Sequence, residues 1–235
     1  VAHLREDARD ALRILELDET WLSDQEKVKA ALEAYQGEDL PLWLSSMALA
    51  EVAYLLADDA GGGQESLELY VLATLAAMKA VGDPTAEVSL FDPRHRLLAE
   101  IYNRALAEAI ELGQELHGPV KGWNRILTPA GPMELVVDRG PGLYDPAYFD
   151  YLIPAEARAQ TGLANEYDRF GVGASMIGVR NNLDAQGERI EAYQGARIIR
   201  PVTVTLRPPQ QGKIHIGYYD PMTVEDIVSE PGRTL

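Results

Sequence analysis

Two long apolar segments, separated by three consecutive glycines, limit what this chain can fold into. Residues 42–57 and 67–81 are apolar around nearly the whole circumference of a helix, and the glycines at 61–63 form a turn between them. A membrane-spanning helix needs about 20 apolar residues, whereas each segment has only about 16. Each also carries a charge, Glu51 or Lys79. We therefore expect two buried helices, in a layered bundle or a helix-hairpin repeat.

Further helix signals lie on both sides of this pair. Apolar residues recur at helical spacing over residues 1–17. The sequence Ser-Asp-Gln-Glu at 23–26 is typical of a capping box, with Ser23 as the N-cap of a helix that ends before Gly37. Asp92-Pro93 predicts the start of a last long helix, with Asp as N-cap and Pro at the first helical position.

The spacing of three tyrosines raises the question of internal repeats. Tyr35, Tyr70 and Tyr102 each fall in a predicted helix, 35 and then 32 residues apart. Tetratricopeptide repeats have a period near 34, but their small-residue positions do not recur cleanly here. A tetratricopeptide-like stretch predicts protein or peptide contact, whereas an irregular bundle would only support the next domain.

Charge divides the chain at residue 117. The net charge is −16, and residues 1–117 carry 23 acidic and 9 basic side chains, a net of −14. We predict an acidic helical domain over 1–117 and a Gly- and Pro-rich β module over 118–235. The acidity argues against a nucleic-acid binder and against docking on anionic lipid through a basic patch. An acidic helical face is either a solvated surface or a docking surface for a basic partner.

The second half carries strand signals. Residues 133–137, between Pro132 and Gly140, predict a strand. Residues 202–206 and 213–218 alternate at period two around a Pro- and Gly-containing loop at 208–212, which predicts a hairpin. Residues 170–179 add a strand interrupted by glycines. The residues expected on the buried face of the hairpin are Val202, Val204, Leu206, Ile214 and Ile216. The predicted fold class is α+β, a helical half followed by a small antiparallel β module.

An aromatic segment stands out at residues 143–154. It contains Tyr144, Tyr148, Phe149 and Tyr151. One interpretation is a strap that packs aromatic rings against the core. The alternative is a platform that stacks on a carbohydrate or another ligand and uses the phenol hydroxyls. A weaker hypothesis places carboxylate chemistry around this segment.

Catalytic motifs are weak. A serine nucleophile needs G-x-S-x-G on a strand-to-helix turn. The nearest match surrounds Ser175, but its second glycine, Gly178, is one residue late. The chain has no Cys, which excludes disulfide scaffolds, thiolate metal sites and cysteine nucleophiles.

Metal and phosphate motifs are missing as well. The four histidines are not paired at metal-ligand spacing, and phosphate-loop motifs are absent. The acidic pairs Asp58-Asp59 and Glu225-Asp226 lack the pattern of calcium loops. The sequence therefore predicts no catalytic residue, no cofactor and no metal site. The four histidines, for which no metal-binding role is predicted, are His3, His95, His117 and His215.

The order of segments resembles a known family. The chain is similar to the region that precedes the catalytic domain in large bacterial cell-envelope α/β-hydrolases, which are esterase- or lipase-like and often lipoproteins. The segments that carry the resemblance are 91–94, 98–106, 167–174, 200–206 and 219–221. In this family a tetratricopeptide-like stretch comes first and the hydrolase domain follows. The resemblance implies that the nucleophile, acid and histidine would lie after Leu235.

Two functions are compatible with these observations. The first is a non-catalytic accessory region of such a hydrolase, located in the cell envelope. Its helical half would contact a partner, its β module would pack on the C-terminal hydrolase domain, and any membrane attachment would use an anchor absent from this chain. The second is a stand-alone helical-repeat scaffold for protein interaction.

Overall fold

The computed structural model describes residues 4–82, 93–128, 131–140, 142–155, 172–183, 186–207, 209 and 211–222. Within these residues the protein is α+β, with six α-helices followed by a curled, mixed six-stranded sheet. The fold class predicted from the sequence is therefore confirmed.

The two apolar segments form the central helices of the first half. No helix in the described part of the chain is long and apolar enough to cross a membrane. The helices are α1 (Glu6–Ile14), α2 (Asp18–Ser23), α3 (Gln25–Ala34), α4 (Leu42–Asp59), α5 (Gly63–Val81) and α6 (Pro93–His117). Their lengths range from 6 residues in α2 to 25 in α6, which is not typical of a regular helix-hairpin repeat.

Small residues allow α4, α5 and α6 to approach each other closely. Ala53, Ala73 and Ala105 are completely buried in one cluster together with Leu72. A second cluster joins buried residues of the same three helices, Met47, Ala80 and Leu98. Because α4 and α5 bury most of their circumference, they need partners on several sides, as the apolar pattern predicted.

The start of α3 differs from the predicted capping box. Asp24, and not Ser23, is the N-cap, because its carboxylate accepts a hydrogen bond from Lys27 N at 3.0 Å. Ser23 closes α2 instead, where its hydroxyl donates to the carbonyl of Thr20 at 3.3 Å. The proline of Asp92-Pro93 begins α6 as predicted, while Asp92 lies outside the described residues.

The strands form a single sheet with the order β1-β2-β6-β5-β4-β3. Among the strand pairs whose register is described, β2–β6 is parallel, and β6–β5, β5–β4 and β4–β3 are antiparallel. The sheet is therefore mixed, and the antiparallel prediction did not include the parallel pairing of β2 with β6. The strands are β1 (Arg125–Thr128), β2 (Gly131–Val137), β3 (Phe149–Pro154), β4 (Ala174–Asn181), β5 (Arg197–Leu206) and β6 (Lys213–Tyr219).

The predicted hairpin is confirmed as β5 and β6, with Val204 opposite Tyr218 and Leu206 opposite Ile216. Its alternating apolar residues lie on one face, which we call the inner face, and the opposite face is called the outer face. All five residues predicted for the buried face are at most 4 % exposed. The alternation therefore assigned the two faces correctly.

The chain divides into two compact units. One contains Val1–Ala109 and Leu127–Gly131, and the other contains Ile110–Ile126 and Pro132–Leu235. The division thus falls inside α6, whereas the boundary predicted from charge coincides with the end of that helix.

Within the second unit, the last turns of α6 protect the edge of the sheet. The Gln114 side chain donates to Leu152 O at 2.7 Å and accepts from Leu152 N at 2.8 Å. Leu152 lies on β3, the last strand in the sheet order. One amide side chain therefore satisfies two backbone groups that an edge strand would otherwise expose.

Candidate functional site

The aromatic segment contributes to both faces of the sheet. It forms two 3₁₀ turns, Gly142–Tyr144 and Pro146–Tyr148, and then continues as β3. Phe149 is buried, with its ring centroid 5.7 Å from that of Tyr218. Tyr148 and Tyr151 are 49 % and 38 % exposed. The segment therefore combines the packing role of a strap with rings that remain open to solvent.

Beside this segment two arginines share one carboxylate. Arg180 Nη2 donates to Glu191 Oε1, and Arg200 Nη2 donates to Glu191 Oε2 at 2.9 Å. Arg180 lies on β4 opposite Ile198, and Arg200 lies two residues further along β5, so the two arginines are diagonal neighbours on the inner face. We call these three residues the arginine cluster.

The arginine cluster is costly to bury. The Arg180 side chain is 1 % exposed, while those of Arg200 and Glu191 are 25 % and 22 % exposed. Burial and the neighbouring charge of Arg200 both lower the pKa of the Arg180 guanidinium, which nevertheless stays charged at neutral pH. Two positive charges face one carboxylate, so the cluster keeps an excess of positive charge.

The cluster also contains donors that its carboxylate does not satisfy. Among the described residues, neither Arg180 Nε nor Arg200 Nε has a hydrogen-bond acceptor, although both atoms are buried. A buried N–H without an acceptor costs stability, and most such groups in folded proteins are satisfied. The unsatisfied donors make this region the strongest candidate for a binding site.

A buried asparagine fixes the segment that carries Glu191. Asn182 is completely buried, and its side-chain amide donates to Glu191 O at 3.0 Å and to Gly195 O at 3.0 Å. Its side-chain oxygen accepts from Glu191 N at 2.9 Å. All of these hydrogen bonds are made to backbone atoms. Asn182 therefore holds the backbone of Glu191 in place but does not restrain the Glu191 side chain.

Two tyrosines border the arginine cluster. The ring centroid of Tyr148 lies 6.0 Å from Arg180 Cζ, within the range of a cation–π contact. The Tyr144 hydroxyl is hydrogen-bonded to Asp220; burial and this carboxylate raise the pKa of Tyr144, and the Arg200 charge opposes them. Residues from β4, β5, the aromatic segment and the connection that carries Glu191 therefore meet at one end of the sheet.

A second polar group lies on the outer face, at the parallel pair of strands. His215 Nδ1 donates to Asp138 Oδ1 at 2.8 Å. Arg207 lies beside them, with its Nε 3.9 Å from Asp138 Oδ2 and its Nη2 donating to the Tyr219 hydroxyl at 2.7 Å. The hydrogen bond to Tyr219 is the main reason that the pKa of Arg207 is raised.

The Asp138–His215 pair has the geometry of the acid and base of a hydrolase, since the aspartate orients the imidazole. In the described part of the chain, however, no serine or threonine hydroxyl is hydrogen-bonded to His215. Ser175 is an exposed residue within β4 and pairs with Thr203 across the sheet, so it is not on the strand-to-helix turn of a nucleophile elbow.

Part of the outer face of β3, β4 and β5 is apolar, whereas an antiparallel sheet facing water is usually polar on that side. Ile199 is 66 % exposed and Tyr151 is 38 % exposed. They border a shallow groove, and we call its lining residues the apolar face. These are Tyr151, Ile153, Ile177, Val179, Arg197 and Ile199.

The other residues considered from the sequence do not come together in a site where the structure describes them. His95 and His117 lie near opposite ends of α6, and Asp58 and Asp59 are exposed at the end of α4. No group of three or more potential metal ligands occurs among the described residues. His3 and the pair Glu225-Asp226 lie outside the described residues.

Sequence reasoning missed the charged residues of the second unit. Arg180 and Arg200 lie within strands, and an arginine at an inward position of a strand is unusual enough to serve as a signal. Glu191 and Asp138 lie outside the strands, and only the folded chain brings them to their partners.

We compared the chain with known proteins. A scan against protein-family models, a search of the curated proteins and a search of the solved structures each found no match.

Proposed function

We propose that this chain is a non-catalytic accessory region of a bacterial envelope-associated α/β-hydrolase of the esterase or lipase type. In this proposal the helical half contacts a partner, and the β module packs on the hydrolase domain. The observation that carries it is the apolar face, because Ile199, Ile177 and Tyr151 form an apolar surface on one side of a sheet. Such surfaces are typical of protein contacts.

The resemblance provides the partner for this surface. The segments at 167–174 and 200–206, which resemble the region before the hydrolase domain, belong to the same part of the sequence as β4 and β5. A hydrolase domain packed on the apolar face would bury the exposed part of Ile199 and favour association through the hydrophobic effect.

The gene provides the first test. We expect the reading frame to continue beyond Leu235 and to encode G-x-S-x-G on a strand-to-helix turn. A reading frame without this motif would contradict the proposal. Hydrolysis of a p-nitrophenyl ester by the 235-residue chain, abolished by Ser175→Ala, would also contradict it, because catalysis would then belong to this chain.

Association provides the second test. The segment encoded after Leu235 is produced separately and titrated with the chain by calorimetry. Ile199→Lys is expected to weaken binding by at least about tenfold, since it places a charge in an apolar contact. Ile190→Lys is the matched control, because Ile190 is 54 % exposed but lies outside the apolar face. Equal effects of the two substitutions would argue against the apolar face as the contact.

A further inference from the structure

We propose that the arginine cluster is a binding site for the carboxylate of a small organic molecule, and that Glu191 occupies this site as an internal substitute. Nothing in the proposed packing on a hydrolase domain requires such a site. The site lies on the inner face, at the end of the sheet where β4 meets the segment that leads to β5.

The arginine cluster already holds a carboxylate, that of Glu191. The carboxylate of Glu191 gives one oxygen to Arg180 and the other to Arg200. Two guanidinium groups that share a single carboxylate in this way are a template for any carboxylate of the same size, because their planar donors match its two oxygens.

The Nε donors of the two arginines also point to a ligand. Arg180 Nε and Arg200 Nε are buried without an acceptor among the described residues. A carboxylate has about four lone-pair sites. The Glu191 carboxylate is attached to a backbone that Asn182 holds in place, so it approaches the guanidiniums from one direction only. A free carboxylate has no such tether and can reach the Nε donors as well.

A binding site must also be accessible to its ligand. Glu191 and Arg200 are each about one-fifth to one-quarter exposed, so solvent reaches the cluster on their side. Because Asn182 bonds only to backbone atoms of the Glu191 segment, the Glu191 side chain can leave by changing rotamer, without loss of these bonds. Displacement therefore requires a rotation of one side chain and no opening of the sheet.

The aromatic segment indicates the rest of the ligand. Tyr148 is 49 % exposed, and its ring lies beside the Arg180 guanidinium. A ligand with a flat apolar body attached to its carboxylate could contact this ring while its oxygens bind the arginines. The ligand class is thus an aromatic or similarly flat carboxylate, for which benzoate is the simplest probe.

The experiment measures benzoate binding to the complete 235-residue chain by calorimetry at constant ionic strength. Glu191→Gln removes the internal competitor, so benzoate is expected to bind at least about tenfold more tightly than to the wild type. Glu188→Gln removes an exposed carboxylate from the same segment and is expected to leave the wild-type affinity unchanged. Arg200→Gln is expected to abolish saturable binding.

Further ligands and variants test the details. Tyr148→Ala is expected to weaken benzoate binding but not acetate binding, because acetate has no ring. Inorganic phosphate is titrated in parallel. If phosphate saturates the Glu191→Gln chain and benzoate does not, the site is not a carboxylate site and the proposal is wrong.

Thermal unfolding separates a ligand site from a purely structural ion pair. Benzoate is expected to raise the midpoint temperature of unfolding of the Glu191→Gln chain towards that of the wild type, since a ligand that binds only the folded state stabilises that state. If Glu191→Gln lowers the midpoint and benzoate restores none of it, the cluster is structural and the proposal fails. If Glu191→Gln does not fold, benzoate binding to the wild-type chain decides. The proposal is supported if the wild type binds benzoate, Glu188→Gln retains this binding and Arg200→Gln loses it. The proposal is wrong if the wild type shows no saturable binding.

Discussion

The carboxylate of Asp138 accepts a hydrogen bond from His215 Nδ1 at 2.8 Å, across the only parallel strand pair whose register is described. Both side chains are about one-quarter to one-third exposed, and Arg207 Nε lies 3.9 Å from the other carboxylate oxygen, too far for a hydrogen bond. Glu134 and Lys213, which lie directly opposite each other on the same two strands, form a more exposed pair at 3.1 Å. Asp138 instead follows the end of β2, two residues beyond the residue opposite His215. The two pairs therefore differ in burial and in their position along the strands.

We expect the Asp138–His215 pair to contribute more to stability than the Glu134–Lys213 pair. A double-mutant cycle with Asp138→Ala and His215→Ala should give a coupling free energy of about 1–2 kcal/mol, because the two residues share a partly buried hydrogen bond. The cycle for Glu134→Ala and Lys213→Ala should give less than about 0.5 kcal/mol, as for exposed ion pairs. Urea unfolding measures both, and equal values would contradict the expectation.

Gln114 gives a second prediction, because its amide satisfies both backbone groups of Leu152. Gln114→Ala should lower the free energy of unfolding by about 1–3 kcal/mol, since it leaves a donor and an acceptor on an edge strand without partners. Glu115→Ala is the control, because Glu115 is the next residue on α6 and is exposed. If Glu115→Ala lowers the free energy of unfolding by the same amount, the loss comes from a change in α6 itself and not from the contact with the edge strand.

Patterns that are local in sequence predicted most of the helices and the β5–β6 hairpin. The all-round apolar segments became α4 and α5, and the alternation of Val202, Val204 and Leu206 gave the correct buried face. In these elements the nearest neighbours along the chain decide the conformation, so a period of 3.6 or 2 is sufficient information. The cap of α3 was misplaced by one residue because Ser23 and Asp24 are both good N-caps.

Contacts that are distant in sequence could not be predicted in this way. The parallel pairing of Glu134 with Lys213 joins strands 79 residues apart, and no local signal sets that register. The arginine cluster has the same limitation. Alternation puts Arg180 and Arg200 on the same face only when the pairing of β4 with β5 is known, and Glu191 lies in an irregular connection.

Gly113 gives a third prediction that opposes the usual effect of its substitution. Replacing a glycine inside a helix by alanine normally stabilises a protein by about 1 kcal/mol. Here a methyl group at Gly113 would collide with the ring of Trp123. The ring cannot easily withdraw, because its Nε1 donates to Gly118 O at 2.7 Å.

We therefore expect Gly113→Ala to lower the free energy of unfolding by about 1–2 kcal/mol. Gly122→Ala is the control, since no atom outside its two chain neighbours lies within 4 Å of the methyl group it would add. Thermal unfolding followed by circular dichroism compares the two variants. A stabilised Gly113→Ala chain would show that the Trp123 ring moves aside at little cost.

Glu51 gives the last prediction, on the dependence of stability on pH. Its carboxylate is 6 % exposed and accepts a hydrogen bond from Arg5 N at 2.6 Å, while its second oxygen has no partner among the described residues. Burial raises the pKa of Glu51, although the bond from Arg5 and its charge lower it in part. The folded state therefore binds this proton more tightly than the unfolded state.

A raised pKa in the folded state has a definite consequence. The free energy of unfolding falls as pH rises from the unfolded pKa of this carboxyl to its folded pKa, because the folded chain must give up a proton that it holds more tightly. Glu51→Gln keeps the acceptor for Arg5 N and removes the charge. We expect it to be more stable than the wild type by about 1–2 kcal/mol at pH 7 and to lose this advantage towards pH 4. Urea unfolding over this pH range measures the difference, with the exposed Glu33→Gln as control; a difference that stays constant with pH would show that the folded chain does not hold the proton of Glu51 more tightly.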